Sequence, residues 1–179
     1  GRAIGLGNFS TSIKIQPVLG TSTMLRDTLL QTELQAQFDA RVLPVPDDNS
    51  LYYIFLPAGV QAIDQKQRRS CVDFCAYHSV FTYADTYTNR QVLAKYVVMP
   101  DFTTGGCATG CGTWGNTFDN VCTIASNQLM GAITNPLAGL PLPVAPTGRG
   151  LSCAPHAFGP AFRVRSPAFG TRTPRSEEH

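Results

Sequence analysis

No stretch of this chain approaches the ~18 consecutive apolar residues that a membrane-crossing helix needs. Its first residues lack the charged-then-apolar pattern of a signal peptide, so a secreted chain of this sequence is expected to be a mature or processed form. Charge is scarce: 15% of residues are Asp, Glu, Lys or Arg, where an ordinary globular protein has about 25%. These charges nearly cancel, to +2, which leaves no bulk field to attract nucleic acid or an acidic membrane. There is one Trp and there are three His, of which only His78 lies within the first 136 residues. Internal repeats are absent. The glycine-rich run 105–112 (GGCATGCG) carries no P-loop lysine and matches no nucleotide fingerprint. Ser126 lacks the Gly-x-Ser-x-Gly turn of a hydrolase nucleophile.

What remains is a chain of 179 residues, 43% hydrophobic, the size of one domain and large enough to bury a core without a metal. The small charge excess is uneven. Residues 1–139 hold nine Lys/Arg and ten Asp/Glu (−1); residues 140–179 hold five Arg and two Glu (+3). Six cysteines, Cys71, Cys75, Cys107, Cys111, Cys122 and Cys153, are many for a cytosolic domain and even in number. Two readings fit them. The two C-x3-C pairs (71/75 and 107/111) offer four thiolates to a structural zinc, although C-x2-C is the usual knuckle. Disulfides in an oxidising compartment are the reading preferred here, with 15 pairings open. The sequon at Asn8 (Asn8-Phe9-Ser10) makes that residue a glycosylation candidate in the same compartment.

Hydrophobic periodicity organises the chain. Thr11–Leu19 alternates as a first strand would. Leu25, Leu29, Leu30, Leu34 and Phe38 recur at helical spacing and predict a helix over Thr23–Val42, capped by Ser22 or Thr23 and ended by Pro44 and Pro46. Leu51–Pro57 reads as a buried strand, and Ala76–Tyr83 with Gln91–Pro100 as a hairpin joined by polar Asp85–Arg90. Asp101–Asn116 reads as a cross-linked loop. A second helix is predicted over Phe118–Thr134, with Asp119 or Asn120 as cap and Asn135-Pro136 as stop. Residues 137–179, crowded with proline, glycine and arginine and without a clear period, read as an irregular arm and not as an independent domain. The expected fold is α+β: two helices packed on a small, mostly antiparallel sheet, with disulfide-linked loops.

Four blocks carry a further signal: LRDTLLQTELQAQFDARVLPVPDDNSLYYIFLPAGV (25–60), FCAYHSVF (74–81), KYVVMPDF…CATGCG (95–112) and FDNVCTIASNQLMGAITNP (118–136). In this order and spacing they resemble the phosphate-induced protein family, also called EXORDIUM, and its microbial relatives, over roughly residues 20–136. The resemblance implies a domain over 1–136, a secreted protein of the cell wall or extracellular matrix, and a zincin-like layout. In the family pattern the second helix bears a His-Glu pair and a further Glu, as a zinc peptidase would, with imidazole binding metal and carboxylate polarising water. Here the matching positions are Asn127, Gln128 and Gly131, and the family's Asp before proline is Asn135. A carboxamide is no general base at neutral pH, and glycine offers no ligand. The resemblance therefore implies a non-enzyme with a degenerate motif and no metal or other cofactor.

The remaining candidates are weaker. His78 is either a ligand or, as a lone histidine beside an aromatic more often is, a hydrogen-bonded packing residue. Cys75 and His78, three apart on a strand, fall on opposite faces and make a poor nucleophile–base pair. Trp114 and Phe118 form either an exposed platform for a sugar ring or protein, or a lid over the core. Asp47, Asp48 and Asn49 suit a solvated turn better than a calcium site. The reading is of an extracellular protein acting by self-assembly into a homo-oligomer or filament, or by binding, the Pro/Arg-rich arm lying on a neighbour. The alternative is a monomeric module binding cell-wall polysaccharide or protein. A metal-dependent hydrolase using His78 ranks last.

Overall fold

The computed structural model describes residues 7–15, 23–112 and 116–137. The chain divides between Leu142 and Pro143, and every described residue belongs to the first unit. Five strands and three helices follow in order: β1 Met24–Arg26, α1 Asp27–Asp39, β2 Leu51–Phe55, β3 Gln61–Ile63, β4 Tyr77–Ala84, β5 Gln91–Met99, α2 Gly105–Gly110 and α3 Thr117–Thr134. The class is α+β.

The main sheet has the order β2-β5-β4, with β4 antiparallel and β2 parallel to β5; β1 and β3 form a separate parallel pair. The expectation of one mostly antiparallel sheet is thus corrected to a mixed three-stranded sheet and a separate parallel pair. The β4/β5 hairpin pairs from Tyr77↔Val98 to Ala84↔Gln91, and the Asp85 amide donates to the Arg90 carbonyl across its mouth. The long connection that parallel strands require runs from β2 through β3 and β4 before β5 takes the central place. That place explains the sequence of β5: VLAKYVVM is apolar on both faces because both are covered.

One layer lies on each face. Leu30, Leu34 and Phe38, at i, i+4 and i+8 of α1, pack with Tyr83, Val92, Ala94, Tyr96 and Val98. On the opposite face Val97, Met99, Ala76 and Phe102 form a second cluster with Cys107 and Cys111, and Val121, Ile124 and Ala125 of α3 lie against it. Burying each large side chain contributes about 1.5–3 kcal/mol.

Element ends differ from the periodicity in instructive ways. Met24–Arg26 is pulled out of the expected helix by pairing with Gln61–Ile63, so α1 begins at Asp27 behind Arg26, with no side-chain cap. It closes in a Schellman motif: the Val42 amide reaches the Gln37 carbonyl and the Arg41 amide that of Phe38, with Arg41 itself at φ 57°. The Arg41 guanidinium then pairs with Asp85 at 2.8 Å. Residues 11–15 form no regular strand, and 16–19 lie outside the described residues. The α3 cap is Asn116, whose Oδ1 accepts from the Asp119 amide, and not Asp119 or Asn120. Within the expected cysteine loop stands the short helix α2.

Candidate functional site

The cysteines settle their own chemistry first. Cys71 bonds Cys107 and Cys75 bonds Cys111, each across 36 residues. The four sulfurs of the zinc reading are therefore disulfide sulfurs, and Cys75 is no nucleophile. Cys107 and Cys111 stand one helical turn apart and meet Cys71 and Cys75, so the two C-x3-C motifs act as matched halves of one double staple. Gly106 allows this: a Cβ there would run into the Cys71 carbonyl oxygen. Cys122 is exposed and free among the described residues, and Cys153 lies outside them.

The degenerate motif positions divide between two surfaces. Gln128 lies on the sheet side of α3, where its Oε1 is 3.1 Å from His78 Nδ1 and its Nε2 donates to the Ala76 carbonyl at 3.4 Å. Gly131 supports the same ring: a Cβ placed there would lie 2.6 Å from His78 Cε1 and 2.9 Å from Nδ1. His78, Gln128 and Gly131 therefore form one seam between β4 and α3. The His78 Nε2 atom is buried in it, with no hydrogen-bond partner among the described residues. Asn127 is exposed, and Asn135 forms the C-cap, its amide donating to the Gly131 carbonyl at 2.8 Å. Ser126 Oγ is spent on the Cys122 carbonyl, 2.8 Å away.

The seam yields a directional expectation. Gly131→Ala should gain about 1 kcal/mol of helix propensity and lose about 1–3 kcal/mol by displacing the imidazole, a net destabilisation. In a His78→Ala background the same change should stabilise, because the ring is gone. Urea unfolding of the four-member cycle checks this; equal effects of Gly131→Ala in both backgrounds would show that the ring does not set the glycine.

A second polar cluster lies on the other side of the sheet and carries no motif. Asp27, 2% exposed, accepts from Tyr77 Oη and Tyr96 Oη, both at 2.7 Å, and from the amides of Gln31 at 2.9 Å and Gln65 at 3.0 Å. Burial, and then the Asp27 carboxylate, push both phenols far above the ordinary tyrosine range, so they stay donors. A small cleft of about 190 Å³ opens beside it, lined by Asp27, Asp64, Lys66, Arg68, Tyr77 and His78 among others. Asp64 is itself engaged, accepting from the Lys66 and Arg68 amides and from Arg68 Nε. No group of three or more His, Cys, Asp or Glu stands in metal-binding array among the described residues.

The other candidates lie apart. Phe118 is exposed on the first turn of α3, Asn8 is exposed in an irregular segment, and Trp114 lies outside the described residues, as do residues 138–179 of the expected arm. Asp47 accepts from the Asn49 amide and Ser50 Oγ within a tight turn, which holds its carboxyl below the usual range, and Lys95 Nζ donates to the Asp48 carbonyl. No helix among the described residues is long and apolar enough to cross a membrane. Compared with known proteins, the chain gives no significant match to a family model, a curated sequence or a solved structure.

Proposed function

We propose that this chain is a non-catalytic extracellular protein of the cell wall or matrix that acts by self-association or binding. One observation carries the reading: α3, the helix that the family resemblance equates with a peptidase-like helix, is built for contact on both faces. Its inner face uses Gln128 and Gly131 to seat His78, where a reaction helix would present carboxylate and imidazole. Its outer face exposes large apolar side chains. The two disulfides are compatible with an oxidising, extracellular setting. The zincin-like layout belongs to this proposal as fold-level analogy and assigns no activity.

Light scattering with electron microscopy on the purified full chain tests the reading, repeated after removal of residues 140–179. Particles larger than a monomer support self-association, and their loss on truncation assigns the contact to the arm. The exposed rings of Phe118 and Tyr87 favour a second reading, a monomeric module for wall polysaccharide or protein. A monodisperse monomer retained on wall polysaccharide would replace the first reading with this one.

A further inference from the structure

We infer that the outward face of α3 is the surface through which one copy of this chain meets a second. The inference rests on the self-association reading and names its interface. In its 18 residues α3 carries one charged side chain, Asp119, which is tied at 2.7 Å to Asn116 in the first turn. A helix that lies on a protein surface ordinarily shows one apolar stripe and one charged face. Here the sheet-facing stripe is Val121, Ile124, Ala125 and Ala132. At 100° per residue further apolar side chains widen this stripe on one flank toward solvent: Phe118 is 74% exposed, Met130 55%, Leu129 41% and Ile133 39%, with Leu137 at 40% just beyond the helix. An apolar arc this wide exceeds what the sheet covers, and the exposed flank of it has no partner among the described residues.

The surface continues onto the sheet. Tyr53 of edge strand β2 donates its hydroxyl to the Ala125 carbonyl of α3 at 2.9 Å, and Phe55, stacked on Tyr53 along the same face of the strand, is 62% exposed. With about 200 Å² for each large apolar side chain, these exposed fractions sum to about 600 Å², at the top of the range of patches on ordinary monomers. Two copies meeting about a two-fold axis would bury about 1,200 Å², the lower bound for a stable interface.

The chemistry of the face narrows the occupant. A membrane-surface helix needs Lys or Arg beside its apolar stripe, and α3 has neither. A sugar needs hydrogen-bonding side chains beside its stacking ring; next to Phe118 the Asp119 carboxylate is tied to Asn116, and the Ser126 hydroxyl donates its proton to the Cys122 carbonyl. A charged peptide would find no counter-charge. An identical apolar face fits without a second surface having to be found, because a two-fold contact pairs a patch with itself.

Sedimentation velocity on the full, oxidised chain at about 1–100 µM, the range that a contact at this lower bound of area brings within reach, tests the proposal. The wild-type mass should rise from monomer to dimer or beyond. The double variant Met130→Lys/Ile133→Lys, with an unchanged near-ultraviolet spectrum, should need at least about tenfold more protein to associate, since desolvating buried charge opposes it. Phe118→Lys, on the most exposed ring of the stripe, is the second variant should the first fail to fold. Assembly that neither variant weakens overturns this interface and leaves self-association standing. A wild-type chain that stays monomeric throughout overturns both.

Discussion

With Cys71, Cys75, Cys107 and Cys111 all replaced by serine, the chain should lose about 7 kcal/mol of stability and be largely unfolded at 25 °C, since small domains hold only about 5–15 kcal/mol in all. The magnitude follows from how the two bridges interleave along the chain. Each spans 36 residues, and closing one such loop in the unfolded chain removes about 4 kcal/mol of entropy. Once Cys71–Cys107 is closed, Cys75 and Cys111 lie only four residues further along their strands of chain, so the second bond closes a ring of about ten residues and adds about 3 kcal/mol. Cys75→Ser/Cys111→Ser alone should therefore cost about 3 kcal/mol, less than an isolated loop of that span. Packing adds to the loss: Cys107 and Cys111 are buried in the cluster beneath α3. The six residues of α2 include three glycines and would not hold a helix unaided. Urea unfolding of the single-bridge and no-bridge variants, read by circular dichroism, measures both steps. A no-bridge chain within about 2 kcal/mol of wild type would show that the core, and not the staple, sustains this region.

The same cysteines mark how far the sequence reaches. Their C-x3-C spacing announces two halves of something and favours disulfides over zinc, whose usual knuckle is C-x2-C, but it does not say which sulfurs pair. The helix between Gly105 and Gly110 could not be read at all, since its composition opposes helix and only the cross-links hold it. Elements whose partners are local were legible: the β4/β5 hairpin and α3 lie within one residue of their expected positions. Where partners are distant the pairing was not legible, even though β2 itself was read as a strand. β2 pairs in parallel with β5 across two intervening strands, and β1 and β3 are three-residue strands whose existence depends on one another. Periodicity over three residues carries no signal, so Met24–Arg26 was absorbed into the helix it precedes. At the candidate site the motif alignment singled out Gln128 and Gly131, and the lone histidine was noted, but only the fold brings all three to one seam. Asp27 gave no warning. An acid in the first turn of a helix looks like an ordinary partner for the helix dipole, and the tyrosines that bury it come from 50 and 69 residues further along.

That buried carboxylate should be the most sensitive single position in the fold. Asp27→Ala is expected to cost about 3–5 kcal/mol, the range for breaking a buried charged network by removing one partner. The reason lies in what it strands. The Tyr77 and Tyr96 hydroxyls and the Gln31 and Gln65 amides all point at one carboxylate. Tyr96 is buried with it and Tyr77 partly so, and a buried donor without an acceptor costs about 1–3 kcal/mol. Tyr96 retains contacts with Gln31 Nε2, from which it accepts at 2.9 Å, and with the Ser79 side chain, a weaker acceptor than a carboxylate. Asp27→Asn, which keeps one carbonyl oxygen but turns an NH2 toward hydroxyls that must donate, should fall between the alanine variant and wild type. Removing a donor instead is milder: Tyr77→Phe leaves the carboxylate three partners and should cost about 1 kcal/mol. The order Asp27→Ala, then Asp27→Asn, then Tyr77→Phe, read from urea midpoints at constant slope, is the signature of a carboxylate that ties β4, β5 and the loop at Gln65 to the start of α1. A Tyr77→Phe variant as unstable as Asp27→Ala would reverse the argument and place the tie in the aromatic packing of Tyr77 against Phe74 and Tyr96.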